Sequence, residues 1–219
     1  MLKLEDIKNN NEVMELINRT HYALTEIKYT EHSIRHVSLV SYRAGKILED
    51  LGYDEERVEL AKIAGFLHDI GNSVNRVDHA HTGAILAYDI LKNMGMSIKD
   101  SSEIMTAIGN HDELTGNPVS DISAALILAD KSDVHRDRVL EEDFANFEIH
   151  HKVNYAVNSS ELITNKEEKK ITLDISIDTK ICPVLNYFEI FLARTIMSKR
   201  AASFLGIWFE LLINDTKLL

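Results

Sequence analysis

The adjacent pair His68-Asp69, in the segment AGFLHDIG, constrains this chain more than any other feature. Neighbours on a regular α-helix point about 100° apart. An imidazole and a carboxylate side by side therefore serve one centre only where the helix stops or where the centre lies above its end. Gly71-Asn72 follows at once and supplies the stop. His36 upstream and Asp130 downstream, in ILADKSD, add one more imidazole and one more carboxylate from distant parts of the chain. A fold that uses all four must converge separated helices on one point, as helical bundles do for metal sites.

The apolar spacing supports such a bundle. Only two prolines and nine glycines interrupt 219 residues, which favours long helices over many short strands. A helical period runs over 11–28 (Val13, Leu16, Ile17, Leu24) and again from about Glu31 to Asp50, with Gly52 as a stop. Asp54 caps a third helix that ends at His68, a fourth covers 78–94, and Ser97 caps a fifth that reaches about His111. GNHDELTGNPVSD is a loop, and a sixth helix carries ISAALILADKSDVHRDR. Beyond it the texture changes. ITLDISID alternates apolar and polar residues, so a β hairpin is expected over about 148–180, turning near Asn165 to Lys169. A helix over 183–205 and a final strand over 206–213 follow, with a helix end as the alternative for the latter. The expected fold is mainly α: a helical core over about 11–140 and a small antiparallel β appendage near the C-terminus, read as one domain over 1–219.

Composition narrows the function. The net charge of −11 argues against general nucleic-acid binding, which needs a basic footprint. A small phosphorylated partner stays open, because a bound cation and a few local arginines can invert the field inside one cleft. Cys182 is the single cysteine, so no intrachain disulfide forms and a reducing, cytoplasmic setting is expected. No signal-peptide pattern or membrane-length apolar run is present, so no membrane association is expected.

The candidate metal ligands are His36, His68, Asp69, His79 or His81, His111 and Asp130, each on or beside a different helix. Such a mixed nitrogen–oxygen set suits Mn, Fe, Co, Ni, Zn or Mg. Lys131, Arg136 and Arg138 are the candidate phosphate-binding cations, with Arg35 beside His36 as a weaker one. Asp133 shares a face with Asp130 if that helix continues, and would then orient a ligand or accept a proton. His32 is read as a partly exposed helix residue, His21, His135, His150 and His151 as surface residues, and Trp208 and Phe209 as core aromatics. Asp112 is read as a ligand or as an orienter of His111.

The ordered segments RHVSLV, LHDIG and ILADKSD resemble the HD-domain metal-dependent phosphohydrolase superfamily over about residues 30–140. The resemblance implies that His36, His68, Asp69 and Asp130 hold one divalent metal. HAHTGAILAYDIL and GNHDE resemble the segments that add a second metal in some branches, which implies roles for His79, four residues before Gly83, and His111. Asp112 stands where those branches carry a second histidine. No GYP tripeptide is present, so the chain is not assigned to the HD-GYP branch. The implied activity is hydrolysis of a phosphate ester or anhydride of a small molecule, a nucleotide or related phosphometabolite, with catalytic roles for Asp69, Lys131 and Asp133. Rival readings are a di-iron oxygenase and a non-catalytic metal- and nucleotide-binding module. The β appendage would be a lid, a homodimer surface or decoration.

Overall fold

Short polar side chains set where the helices begin. Asn10, Ser33, Asp54, Ser97 and Ser120 each accept a backbone N–H from the first turn of the helix that follows, at 2.9–3.2 Å. Such caps satisfy donors that the helix itself leaves free. In the computed structural model, which describes residues 2–140 and 148–219, the helices are α1 (Leu4–Lys8), α2 (Asn11–Glu26), α3 (Ile34–Leu51), α4 (Glu55–Leu67), α5 (His79–Asn93), α6 (Ile98–Gly109), α7 (Asp121–Lys131), α8 (Ile149–Ala156) and α9 (Val184–Phe204). Short 3-10 turns cover Ile70–Ser73 and Arg136–Arg138. Gly52 ends α3 in the left-handed conformation, as its position predicted.

Helices α4 and α7 form the centre. Leu60, Ile63, Phe66 and Leu67 of α4 and Ile122, Leu126, Ile127 and Leu128 of α7 are all within 1% of full burial. A helix apolar on every side belongs in the middle of a bundle. Both are wrapped by α3 and α6, and α5 packs on α6 and on the Ile70–Ser73 turn. None of the described helices is long and apolar enough to cross a membrane.

The appendage is a four-stranded sheet in the order β1 (Val157–Asn165), β2 (Lys170–Ile177), β3 (Trp208–Ile213), β4 (Thr216–Lys217). β1 and β2 form the predicted hairpin, with Asn165 opposite Lys170. β2 and β3 are parallel, joined by the α9 crossover, while β3 and β4 are antiparallel. The sheet is therefore mixed, not purely antiparallel as expected. Ile171, Leu173, Ile175 and Ile177 are buried, matching the alternation read from the sequence. The hairpin starts at Val157 and not near 148. Residues 149–156 are helical because Ile149, Val153 and Ala156 repeat at a helical spacing and turn inward. Trp208 is 76% exposed and corrects its reading as a core aromatic, whereas Phe209, on the opposite face of the strand, is buried.

Gly71 positions the rest. A Cβ there would lie 2.0 Å from the carbonyl oxygen of His79 and 2.4 Å from the nitrogen of Gly83. The turn after His68-Asp69 thus lies directly on the backbone of α5, and no side chain fits between. Gly71→Ala is expected to destabilise the fold by about 1–3 kcal/mol or more by overpacking, read as a lowered midpoint in urea unfolding.

Candidate metal centre

Helix α4 ends at Leu67, and His68 takes the C-cap position with Asp69 just beyond it. The helix end is therefore where the pair needs it. Helix α3 presents His36 from its first turn, α7 presents Asp130 near its C-terminus, His79 opens α5, and His111 follows α6. All five elements bring these groups to one place.

Hydrogen bonds on the far side of each ring determine which nitrogen faces inward. His68 Nδ1 donates to the Gly65 carbonyl at 2.8 Å, and His111 Nδ1 donates to the Ile108 carbonyl at 2.6 Å. His79 Nδ1 donates to the Arg76 carbonyl at 3.2 Å. His36 Nδ1 lies 2.7 Å from Asp133 Oδ2. Carbonyls and carboxylates only accept, so each Nδ1 carries a proton and, in the neutral ring, the Nε2 lone pair faces inward. Arg138 Nη1 abuts His36 Nδ1 at 2.5 Å and donates to Asp133 Oδ2 at 3.0 Å. A guanidinium cannot accept, so the His36 proton still belongs to Asp133.

The bare Nε2 atoms meet in two places. His36 Nε2 and His68 Nε2 are 3.3 Å apart. Asp69 Oδ2 lies 3.4 and 3.2 Å from them, and Asp130 Oδ1 lies 3.5 and 3.7 Å away. Donors bound at about 2.1 Å to one ion sit about 3.0–3.4 Å apart in octahedral or tetrahedral geometry. His79 Nε2 and His111 Nε2 approach to 3.2 Å, and Asp69 Oδ1 is 3.7 Å from His79 Nε2. The two oxygens of Asp69 thus face the two groups of histidines.

The donor set fits a divalent metal. Asp69 Oδ2 is fully buried with no hydrogen-bond partner, although three imidazole nitrogens stand within 3.7 Å of it. A buried carboxylate oxygen among imidazoles needs a positive charge beside it, a metal ion or a proton on one of the rings. The electrostatics point the same way. Burial raises the Asp69 and Asp130 pKa, but His68, Lys131 and the other neighbours hold both carboxyls well below the usual range. Burial works against a charge on His68, yet Asp69 and Asp130 outweigh it and raise its pKa to about 10, so a metal taking His68 Nε2 would displace a proton. Burial and the charges of His68 and Lys131 push His111 down to about 3. Burial, opposed by Asp69, also lowers His79.

A ring of supports holds the ligands. Asn72 Nδ2 donates to Asp69 Oδ1 at 2.8 Å, and the Thr20 hydroxyl donates to the Asp69 carbonyl at 3.3 Å. Asp133 binds His36, Arg35 and Arg138 through one oxygen. Lys131 donates to Asp130 Oδ2 at 2.8 Å and pairs with Glu113 at 2.7 Å, and Glu113 in turn accepts from Arg194 Nε at 3.2 Å. Arg76 Nη1 lies 3.0 Å from both ring nitrogens of His79, and its guanidinium stacks over Tyr29.

Several expectations change. α7 stops at Lys131, so Asp133 does not share its face with Asp130. The Asp133 N–H bonds the Asp130 carbonyl in a turn, which aims the carboxylate at His36 instead. Arg136 is not in the site: its side chain bonds Asn158 and the Val157 carbonyl on β1. Arg35 is committed to Glu31 and Asp133. Arg138 and Lys131 are buried beside the ligands, already paired with carboxylates. Asp112 accepts the Leu114 N–H in a turn and, among the described residues, binds none of the histidines. His32 is buried, not partly exposed, because α3 starts at Ile34. His32 therefore precedes the helix, with Nδ1 bonded to the Thr30 carbonyl and Nε2 3.1 Å from Arg138. His151 is buried, which corrects its reading as a surface residue, whereas His150 is exposed as expected.

His79 faces the cluster, while the His81 side chain is 59% exposed beside Asp78. Residues two apart on a helix point about 200° apart, so both cannot face one centre. His79→Ala is expected to lose one metal equivalent by elemental analysis, and His81→Ala none. Equal losses in the two variants would overturn this assignment.

Asn72, Arg76, Glu113 and Arg194 were not found from the sequence. Glu113 sits in GNHDE next to His111 and carried a local signal. Arg194 lies over 80 residues from its partner and carried none.

The family model of the HD domain matches residues 33–136. The chain is 26% identical over 136 residues to Ribonuclease Y of Aster yellows witches'-broom phytoplasma, covering 62% of this chain and 24% of that protein. It is 34% identical over 101 residues to Ribonuclease Y of Desulfotalea psychrophila, covering 46% and 17%. An uncharacterised protein of Methanocaldococcus jannaschii is 27% identical over 160 residues, covering 63% and 61%. The chain thus spans about a quarter or less of the length of these Ribonuclease Y relatives. A crystal structure of a predicted HD superfamily hydrolase from an uncultured Thermotogales bacterium aligns with 61% of this chain and 75% of its own, at 26% identity and a TM-score of 0.47. His36, His68, Asp69, His79, His111 and Asp130 all fall inside the matched segment, and residues 33–136 carry an HD domain.

Proposed function

We propose that this chain is a metal-dependent phosphohydrolase acting on a phosphate ester or anhydride of a small molecule, a nucleotide or related phosphometabolite. The observation that carries the reading is the buried Asp69 Oδ2, without a hydrogen bond among the described residues, with three imidazole nitrogens within 3.7 Å of it. His36, His68, Asp69 and Asp130 would hold one divalent ion, and His79 and His111, with the other oxygen of Asp69, a second. Such ions supply a water of lowered pKa and neutralise phosphoryl oxygens. The chain's own residues do the rest. Asp133 holds the His36 tautomer, Asn72 orients Asp69, and Lys131 with Glu113 holds Asp130. An open cleft of about 410 Å³ adjoins His79, lined also by Tyr29, Arg76, Asp112, Glu113 and Thr115. It is sized for a small ligand, and Arg76 is the cation placed to meet a phosphate there.

The relatives named Ribonuclease Y suggest the same phosphoester chemistry, and a net charge of −11 favours a small substrate over a long polyanion. The test is metal analysis of the purified protein together with phosphate release from nucleotides, phosphosugars and short RNA, with added Mn, Co, Mg or Fe and with chelator. Phosphate release that needs metal is expected. About two irons per chain with oxygen uptake and no phosphate release would instead support the di-iron oxygenase. No bound metal and no turnover under any condition would leave a non-catalytic module.

A further inference from the structure

Asp130 is the least enclosed of the four ligands grouped around His36 and His68. The two imidazoles are fully buried and the Asp69 side chain is 4% exposed, whereas that of Asp130 is 14% exposed. It sits one residue before the end of α7, where a helix frays most easily. Asp130 Oδ1 faces His36 and His68, and Oδ2 has one hydrogen bond among the described residues, from Lys131 Nζ at 2.8 Å. The direction of Oδ1 is therefore set through Lys131.

A lysine is a point charge on a flexible four-carbon stem and fixes little by itself. Here Glu113 Oε2 clamps the buried ammonium from its other side at 2.7 Å. Glu113 lies in the connection between α6 and α7, so it needs an anchor as well. Arg194 supplies it, donating from Nε to Glu113 Oε1 at 3.2 Å. Arg194 stands in the middle of the 21-residue α9, which packs along α7. Its guanidinium lies 4.7 Å from the ring centre of Phe191, a buried residue one turn earlier. Asp130, Lys131, Glu113 and Arg194 thus alternate in sign, and each carboxylate turns its two oxygens to different neighbours. The relay ends on a long helix outside the HD domain of residues 33–136.

We infer that Arg194 is a positioning residue for the metal ligand Asp130, acting through Glu113 and Lys131, so that α9 forms part of the metal centre. The inference rests on the metal-binding part of the reading above and on no choice of substrate.

Charge and positioning predict opposite signs for the loss of Arg194. A cation acting through space repels a divalent ion, so its removal would tighten metal binding. Loss of an anchor instead frees Glu113 and then Lys131, and Asp130 Oδ1 turns away from the metal position. Arg194 is already paired with Glu113, so little of its charge reaches the metals, and the positioning effect wins.

The test titrates cobalt(II) into the metal-free full chain against a chelating indicator and records the visible absorption of the bound ion. In Arg194→Gln one cobalt equivalent is expected to bind about 10–100-fold more weakly, as when other partners of metal ligands are removed. An altered absorption band and partial recovery in Arg194→Lys are expected with it. Glu113→Gln is expected to weaken the same equivalent at least as much, because it also leaves the Lys131 charge unbalanced. In a Lys131→Met background Arg194→Gln is expected to change nothing further, since the link is already cut. Circular dichroism in chelator reports whether each variant folds. Should Arg194→Gln not fold, Glu113→Gln, alone and in the Lys131→Met background, decides in the same way. Unchanged or tighter cobalt binding in a folded variant, or an equal loss in the Lys131→Met background, overturns the inference. A wild type that binds no cobalt fails the metal reading and the inference with it. Binding weakened as expected, in a wild type that hydrolyses nothing with any metal, supports the inference while the phosphohydrolase reading fails.

Discussion

Asp69→Ala is expected to lose bound metal and at least about a thousandfold of the metal-dependent hydrolysis, because metal assistance supplies several kcal/mol of the barrier reduction. Asp69 is the residue whose two oxygens face both groups of histidines: Oδ2 toward His36 and His68, Oδ1 toward His79. Its removal therefore empties both positions, whereas the loss of His79 empties one. The fold should survive, since Asp69 Oδ2 makes no hydrogen bond among the described residues and Asn72, which loses Oδ1, keeps its bond to the carbonyl of residue 69. Elemental analysis and circular dichroism on the same sample read the two expectations separately. A folded Asp69→Ala protein that keeps its metal and turnover would show that the chemistry lies elsewhere.

Asp133→Asn should act through a different link, and on stability as well. One oxygen of Asp133 serves His36, Arg35 and Arg138 at 2.7–3.0 Å, and the residue is only 2% exposed. The amide is nearly the same size but carries no charge, so Arg138 is left buried with its main carboxylate gone. Breaking a buried pair in this way costs about 3–5 kcal/mol. The His36 tautomer also loses its orienting acceptor, and the loss of such partners lowers metal affinity about 10–100-fold. Chemical denaturation in chelator measures the first effect, and competition against a metal indicator measures the second. Unchanged affinity in a destabilised protein would show that His36 is oriented by packing alone.

Much of this molecule is legible in its sequence. The helix boundaries followed from local chemistry: Asp54 and Ser97 cap where a donor must be satisfied, and Gly52 ends α3 because it accepts a positive φ. The His68-Asp69 pair required a helix end, and α4 ends there. The hairpin turn followed from the period-2 pattern of ITLDISID. These features depend on residues within a few positions of one another, so the sequence carries them directly.

What the sequence left open depends on contacts across the chain. Whether His79 or His81 faces inward is a matter of rotation about α5, and that rotation is decided where Gly71 meets the backbones of His79 and Gly83. His32 looked peripheral because its burial comes from Arg138, more than a hundred residues away. Asp133 was expected to reach the site along a helix and reaches it by leaving one. Arg194 joins the network through Glu113 from outside the matched domain. By itself, then, the sequence determined the helices, the hairpin and the ligand types, because capping, periodicity and donor chemistry are local. Only the tertiary structure decided which histidine turns inward, which cations are already paired and which pocket lies beside the metals, because those outcomes depend on distances between segments that no local pattern encodes.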